Sequence, residues 1–248
     1  MNQNTSPLIT VVTVNYNNLE ALEKTIQNVI AQTYRPIEYI VIDGASTDGS
    51  VDIIKKYESK ITDWFSEKDA GIYNAMNKGI ERANGEWICF LNCGDVFVDN
   101  QTVQRIVDHL QSSDADIVYG NIFVEQQDGT MKERIAREPC NIHRMHFCHQ
   151  SAFVKTVLLR NYLFDESHKM SADLKFFKQC HYDKRKFVHV NFPIVIYDTS
   201  GISNVQRQKG LRDNIAVIKE IDKGLDKYLF LFRLYFVIYW RMITGKIK

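Results

Sequence analysis

Short apolar runs separated by amphipathic stretches fill the first half of the chain, and that alternation leaves few folds open to it. Residues 8–14 read LITVVTV, a β-branched run between Pro7 and NYNN, which suits a fully buried strand leaving into a loop. Residues 19–32 then carry Leu22, Ile26, Val29 and Ile30 at helical spacing, and YRP ends that pattern before EYIVID at 38–43. The cycle repeats. GASTDGS is a turn in which Ser46, Thr47 or Asp48 caps a helix running to about Tyr57; 61–66 is a third strand, 71–83 (GIYNAMNKGIERA) a helix and 87–91 (WICFL) a fourth strand. Asp99 caps a further helix through Leu110, and 116–119 is another short strand. Strands alternating with helices predict an α/β domain with a mostly parallel central sheet and helices on both faces. Ligands bind such sheets beyond the carboxyl ends of the strands. Asn15, Asp43 and Asp95 each lie at or just past such an end, so one crevice is expected to collect all three.

After about residue 120 the texture becomes mixed. Residues 122–137 alternate around a QDGT turn like a hairpin, a His-rich loop follows, and 170–180 reads as a helix. The expected division is a domain over 1–205, with a ligand-binding half to about 120 and a second half over 121–205, then a helical basic and aromatic tail over 206–248. A formal net charge of +1 leaves no global field for nucleic acid. Five cysteines at irregular positions, with no apolar leader at the N-terminus, suit a reducing cytoplasm better than a disulfide framework.

The loop after the first strand, NYNNLE, lacks the glycines of a dinucleotide fingerprint, and no GxxxxGK[ST] stretch occurs. A diphosphate bound without a glycine cradle needs another counterion, and a divalent ion held by one or two carboxylates and by the phosphates themselves supplies it. Asp95 stands where such an ion is needed, although an Asp after a strand also serves as a turn former or helix cap. Asn92 adds an amide and Gly94 an open backbone, with Asp43 on another strand end.

The segments TVVTVNYNNLEALEKTIQNVIAQTY, IEYIVIDGASTDGSVDII and SEKDAGIYNAMNKGIERANGEWICFLNCGD, in that order, resemble the catalytic domain of family 2 glycosyltransferases, with the GT-A fold, over about residues 8–205. GIYNAMNKG resembles the subgroup that builds bacterial surface polysaccharides (capsule, O-antigen or exopolysaccharide). The resemblance implies an inverting, metal-dependent transferase that moves a sugar from a nucleotide-diphosphate donor, a UDP-sugar, to a saccharide or lipid-linked saccharide. It implies that Thr13, Asn15 and Asn17 line the nucleotide pocket, that Asp43 meets the base or ribose, and that Asp69, Asn77 and Lys78 lie near nucleotide and sugar, with Gly71 and Gly79 allowing close approach. Asp95 becomes the ligand of Mn²⁺ or Mg²⁺, Asp173 in MSADLKFF the general base, and His149 and Gln150 an HQ segment beside donor and acceptor. This chain departs from the family pattern in two places. Of residues 92–95 only Asp95 is charged, and Gly44 stands where the family's DDGS has its second Asp. The other reading of Asp173 is a first-turn residue complementing the helix dipole behind a Ser171 cap. A sugar nucleotidyltransferase and a non-catalytic glycan-binding scaffold remain the alternative functions.

Cys140, His143, His146, Cys148 and His149 crowd together, but their spacing matches no usual zinc finger or ribbon, so a loop is expected. Cys93 reads as a packed thiol, and Lys184, Arg185 and Lys186 as a solvated turn. From Lys227 to Lys248 there are five basic residues, no acidic one and a run of aromatics. The 228–240 stretch is too short to span a bilayer, and its expected partner is either an anionic membrane surface, which would make the protein peripheral on the inner face of the plasma membrane, or the domain's own core or a second copy.

Overall fold

The computed structural model describes residues 6–126, 128–138, 140, 144–201 and 206–244. Four strands of the first half, β1 (Ile9–Asn15), β2 (Ile37–Asp43), β3 (Asp63–Ser66) and β4 (Trp87–Phe90), pair in parallel in the order β3-β2-β1-β4. The second half adds β5 (Val96–Phe97), β6 (Ile117–Glu125), β7 (Met131–Arg134), β8 (Ala152–Lys155) and β9 (Phe187–Tyr197), completing one sheet ordered β3-β2-β1-β4-β8-β6-β9-β5 with β7 on β6. β8 runs antiparallel to both β4 and β6, whereas β9 is parallel to β6, so the sheet is mixed only beyond β4.

Continuous apolar strands follow from burial on both faces. Within β1, Ile9 and Val11 join Leu22, Ile26 and Val29 of α1 (Leu19–Ile30) and Val103 and Ile106 of α4 (Thr102–Ser112). Val12 and Val14 point the other way, into Met76 and Ile80 of α3 (Ile72–Arg82) and Phe176 and Phe177 of α6 (Ala172–Tyr182). Truncating a residue such as Ile26 to alanine costs about 2–5 kcal/mol. Two shorter helices, α2 (Ser50–Lys56) and α5 (Thr156–Tyr162), complete the layers. A helical pair, α7 (Arg207–Ile221) and α8 (Gly224–Ile243), packs through its own small cluster of Ile215, Ile218, Phe230 and Leu234.

Some local expectations change. β3 begins only at Asp63, because a 3₁₀ turn over Glu58–Lys60 takes the Ile61 amide and turns that side chain into the core. The short strand expected at 116–119 and the first arm of the hairpin are one strand, β6, whose ladder with β7 pairs Ile122 with Arg134. β9 lacks a clear sequence signature because Pro193 interrupts it, and the ladder absorbs the proline at a register shift beside Asn121. Side-chain capping is absent where it was expected. Asp48 accepts from the Ser50 and Leu19 amides and Asp99 from the Gln101 amide, while the Ser171 hydroxyl donates to Asn214 Oδ1 (2.6 Å) rather than to its own helix. Lys184, with a positive φ, lies in the exposed turn between α6 and β9.

Candidate active site

The β1–β2 register sets Asn15 opposite Asp43, and beyond the strand ends lies a cavity of about 970 Å³ lined in part by Asn15, Asp69, Asn92, Asp95, His149, Gln150, Asp173 and Asp198. Asp43 is fully buried behind this wall. Its Oδ1 accepts from Asn15 Nδ2 (2.8 Å) and Ser46 Oγ (2.6 Å), and its Oδ2 from the Ser46 amide (2.9 Å) and Ser66 Oγ (2.6 Å). All four lone-pair directions of this carboxylate are therefore taken by the protein. Asp69 closes over the adjacent turn, where a Cβ on Gly44 would sit 2.6 Å from Asp69 Oδ2. The family's second Asp at that position would require the Asp69 side chain to shift.

Asp95 is held differently. It is 2% exposed, its Oδ1 accepts from the Asp198 amide (2.9 Å), and the Gln150 side chain also hydrogen-bonds it. Gly94, at φ 98°, brings the backbone so close to Asp198 that any Cβ there would collide with the Asp198 carboxylate. Burial pushes the Asp95 carboxyl up to about 7; the Asp198 amide, His149 and Gln150 pull it back, and the Asp198 charge adds to the rise. Asp198 is the residue that sequence reasoning missed, although it too follows an apolar strand, VIY, at its carboxyl end.

On the opposite wall Asp173 stands in the first turn of α6. Tyr73 Oη donates to its Oδ1 (2.8 Å), and His149 Nδ1 lies 3.2 Å from its Oδ2. Burial alone would raise this carboxyl, but the His149 hydrogen bond and charge and the Tyr73 hydroxyl outweigh it and hold Asp173 below the usual carboxylate range. His149 Nε2 is 3.4 Å from Asn92 Nδ2. His149 thus links the Asp173 wall to the Asn92–Asp95 corner. Asn92 Oδ1 and Asn15 Oδ1 are buried without a hydrogen-bond partner. Asp95 and Asp198, with the Asn92 and Asn15 amide oxygens lining the same cavity, are hard oxygen donors of the kind that a divalent cation such as Mg²⁺ or Mn²⁺ takes.

The family model for glycosyl transferase family 2 matches residues 10–179. The chain belongs to that family. It is 30% identical over 139 residues to the putative teichuronic acid biosynthesis glycosyltransferase TuaG of Bacillus subtilis, a match covering 55% of each chain. An uncharacterized glycosyltransferase of Mycobacterium tuberculosis is 41% identical over 106 residues, 42% of this chain and 40% of that one. The chain thus spans about half the length of the curated relatives it matches. Among solved structures, Staphylococcus aureus TarS 1–349 in complex with UDP-GlcNAc superposes with a TM-score of 0.70 at 15% identity, covering 92% of this chain and 71% of that one. The mannosyltransferase PcManGT from Pyrobaculum calidifontis, in complex with GDP-Man and Mn²⁺, gives 0.69 at 16%, covering 97% and 76%. These likenesses establish the GT-A-like α/β fold.

Not every residue expected to serve this family 2 glycosyltransferase reaches the cavity. Thr13 is fully buried, donating to the Leu91 carbonyl and accepting from Tyr39, so it does not line the pocket. Asn17 lies outside the cavity wall, exposed and holding the Thr47 amide. Asn77 pins a distant loop by bonding the Phe164 amide and carbonyl and Glu166. Lys78 turns outward to Glu67 (2.6 Å) and the Phe65 ring. Gly79 allows close approach, but to Val12 of β1, since a Cβ there would meet Val12 Cγ1 at 2.5 Å. The GIYNAMNKG segment contributes Tyr73 to the site instead, through its contact with Asp173.

The remaining constellations fall away. Among the described residues Cys140, His146, Cys148 and His149 form no metal-binding group, and His143 lies outside them. Burial pushes the Cys93 thiol up to about 12, which fits packing rather than attack. Asp165, His168 and Glu220 do converge, yet Lys175 already bridges Asp165 and Glu220, and His168 bonds Asp213 and Glu220 (3.0 and 2.9 Å). That cluster is an ion-pair network in which lysine is the cation.

Proposed function

We propose that the protein transfers a sugar from a nucleotide-diphosphate donor, a UDP-sugar, to a saccharide or lipid-linked saccharide acceptor, with inversion at the anomeric carbon, during synthesis of a bacterial surface polysaccharide. One observation carries the reading. A carboxylate pair suited to a cation (Asp95 and Asp198) and an ionised carboxylate suited to a base (Asp173) face one cavity, with His149 between them. The TarS complexes with UDP and UDP-GlcNAc favour a uridine donor, and PcManGT with GDP-Man and Mn²⁺ favours a divalent ion. TuaG favours a cell-surface polymer.

In this reading the acceptor hydroxyl gives its proton to Asp173 as its oxygen attacks the anomeric carbon. The bond from that carbon to the diphosphate oxygen breaks, and its electron pair leaves with the nucleoside diphosphate. A single displacement inverts the centre. Tyr73 and the Nδ1–H of His149 keep Asp173 ionised and aimed, which is what a base near neutral pH requires. Asp95 and Asp198, with the Asn92 amide oxygen, would hold Mn²⁺ or Mg²⁺. When bound, that ion supplies positive charge to the leaving diphosphate.

Incubation with a panel of labelled UDP- and GDP-sugars and saccharide acceptors, with and without Mn²⁺, tests this. Release of nucleoside diphosphate together with an inverted glycoside supports transfer. Pyrophosphate would instead identify a nucleotidyltransferase, and donor binding without turnover across the panel would identify a scaffold.

A further inference from the structure

The helical pair carries a surface that sugar transfer does not use. Along α8, Leu225, Tyr228, Phe232, Phe236, Tyr239 and Ile243 recur at three- and four-residue spacing, each more than half exposed, with Phe232 at 70%. The other side of the helix is already engaged, as Phe230 and Leu234 pack on Ile215 and Ile218. Phe232, Phe236 and Trp240 stack in sequence, with centroids 6.4 and 6.2 Å apart, so the stripe is a ladder of rings rather than scattered apolar residues. Arg233 is exposed at one edge of the stripe and Lys219 of α7 stands over the Tyr235 ring at the other, whereas Lys227 donates to the Lys219 carbonyl and Arg241 turns to α7.

We propose that this face docks on an anionic bilayer, with α8 lying in the headgroup plane. Charge separates this occupant from a second copy of the chain. A two-fold contact between α8 stripes would set the cations that flank the rings, Arg233 and the Lys219 ammonium over the Tyr235 ring, against their own copies. Anionic headgroups neutralise the same cations, and Tyr and Trp favour that depth. No described helix is long and apolar enough to cross a membrane, so α8 lies on the surface rather than through it.

The packing of the pair relates this surface to the cavity. α7 runs alongside α6 in the same direction, for Ser171 bonds Asn214, Lys175 bonds Glu220 and Lys178 pairs with Asp222. α8 returns the opposite way, bringing Ile238 and Arg241 beside Gln208, Leu211 and Arg212. The aromatic end of the stripe therefore comes back level with the N-terminus of α6, where Asp173 lines the cavity. Together with the sugar-transfer reading, on which this consequence rests, that arrangement suits an acceptor presented from the lipid surface.

Flotation of the whole chain with phosphatidylcholine vesicles, with and without about 30% phosphatidylglycerol, tests the proposal. The expected result is co-flotation with the anionic vesicles alone, weakened by salt and accompanied by a blue shift of tryptophan emission. The Phe232→Ser/Phe236→Ser/Trp240→Ser variant should lose binding by about tenfold or more, with its circular dichroism unchanged. Arg233→Glu, which leaves the rings in place, should also weaken it. Absence of flotation with anionic vesicles overturns the proposal, as does a lipid-independent dimer, seen by light scattering, that the ring variant dissociates. Nucleoside diphosphate release with a soluble saccharide acceptor stays at the wild-type rate in the ring variant, so membrane docking and sugar transfer fail or succeed separately.

Discussion

Asp43 and Asp95 are both buried carboxylates following parallel strands at the same end of the sheet, yet they are held in opposite ways. Asp43 accepts four hydrogen bonds from Asn15, Ser46 and Ser66, which makes it a hub that orders the first two strand-end loops. Asp95 accepts from the Asp198 amide and Gln150, and burial raises its pKa to about 7, with a smaller addition from the Asp198 charge. A carboxylate whose lone pairs are filled by protein donors stabilises the fold. One buried with fewer donors, here the Asp198 amide and Gln150, carries a desolvation cost that a cation would offset.

The largest effect expected from this contrast is at Asp95. Asp95→Asn should lower turnover by about a thousandfold or more. It should also stabilise the metal-free protein at pH 8. Because the folded pKa lies above the ordinary carboxylate value, ionisation of Asp95 weighs against the folded state, fully above about pH 7 and not at all below about pH 4. Thermal unfolding should therefore show a gain of about 2–4 kcal/mol at pH 8 and little change at pH 4. A loss of stability at pH 8 would break the contrast. Asp43→Ala should do the reverse, costing about 2–5 kcal/mol in urea unfolding because it strands several buried donors. Mn²⁺ affinity of its folded fraction should stay within a few-fold of wild type.

Asp198→Ala sharpens the comparison from the other side. By electron paramagnetic titration, Mn²⁺ affinity should fall about 10–100-fold, while an unchanged affinity would leave Asp95 as the sole charged ligand. A smaller effect follows from pH. Since Asp95 must lose its proton to hold a cation, Mn²⁺ affinity should fall about tenfold per unit below pH 7 and level off above it.

The parallel half of the fold and one side of the site were legible because local pattern determines them: buried strands read as β-branched runs, and ligands gather at their ends. Asn15, Asp69, Asp95, His149, Gln150 and Asp173 do meet in one cavity. Asp198 escaped because Pro193 disguises β9 as loop, and only long-range pairing with β6 shows where that strand ends. Asn77 misled for a related reason. Its partners, Phe164 and Glu166, lie nearly ninety positions away, so a polar residue in a binding-like motif became a clamp for a loop. The lysine in the Asp165–Glu220 cluster is likewise visible only after α7 is folded back along α6.

The most direct test of sugar transfer at this site is a paired measurement on Asp173→Asn: calorimetric affinity for the UDP-sugar with Mn²⁺, and UDP release with acceptor present. The arrangement of Asp173 apart from the Asp95 corner predicts donor affinity within a few-fold of wild type and turnover reduced by about a thousandfold. Turnover near the wild-type rate would contradict it.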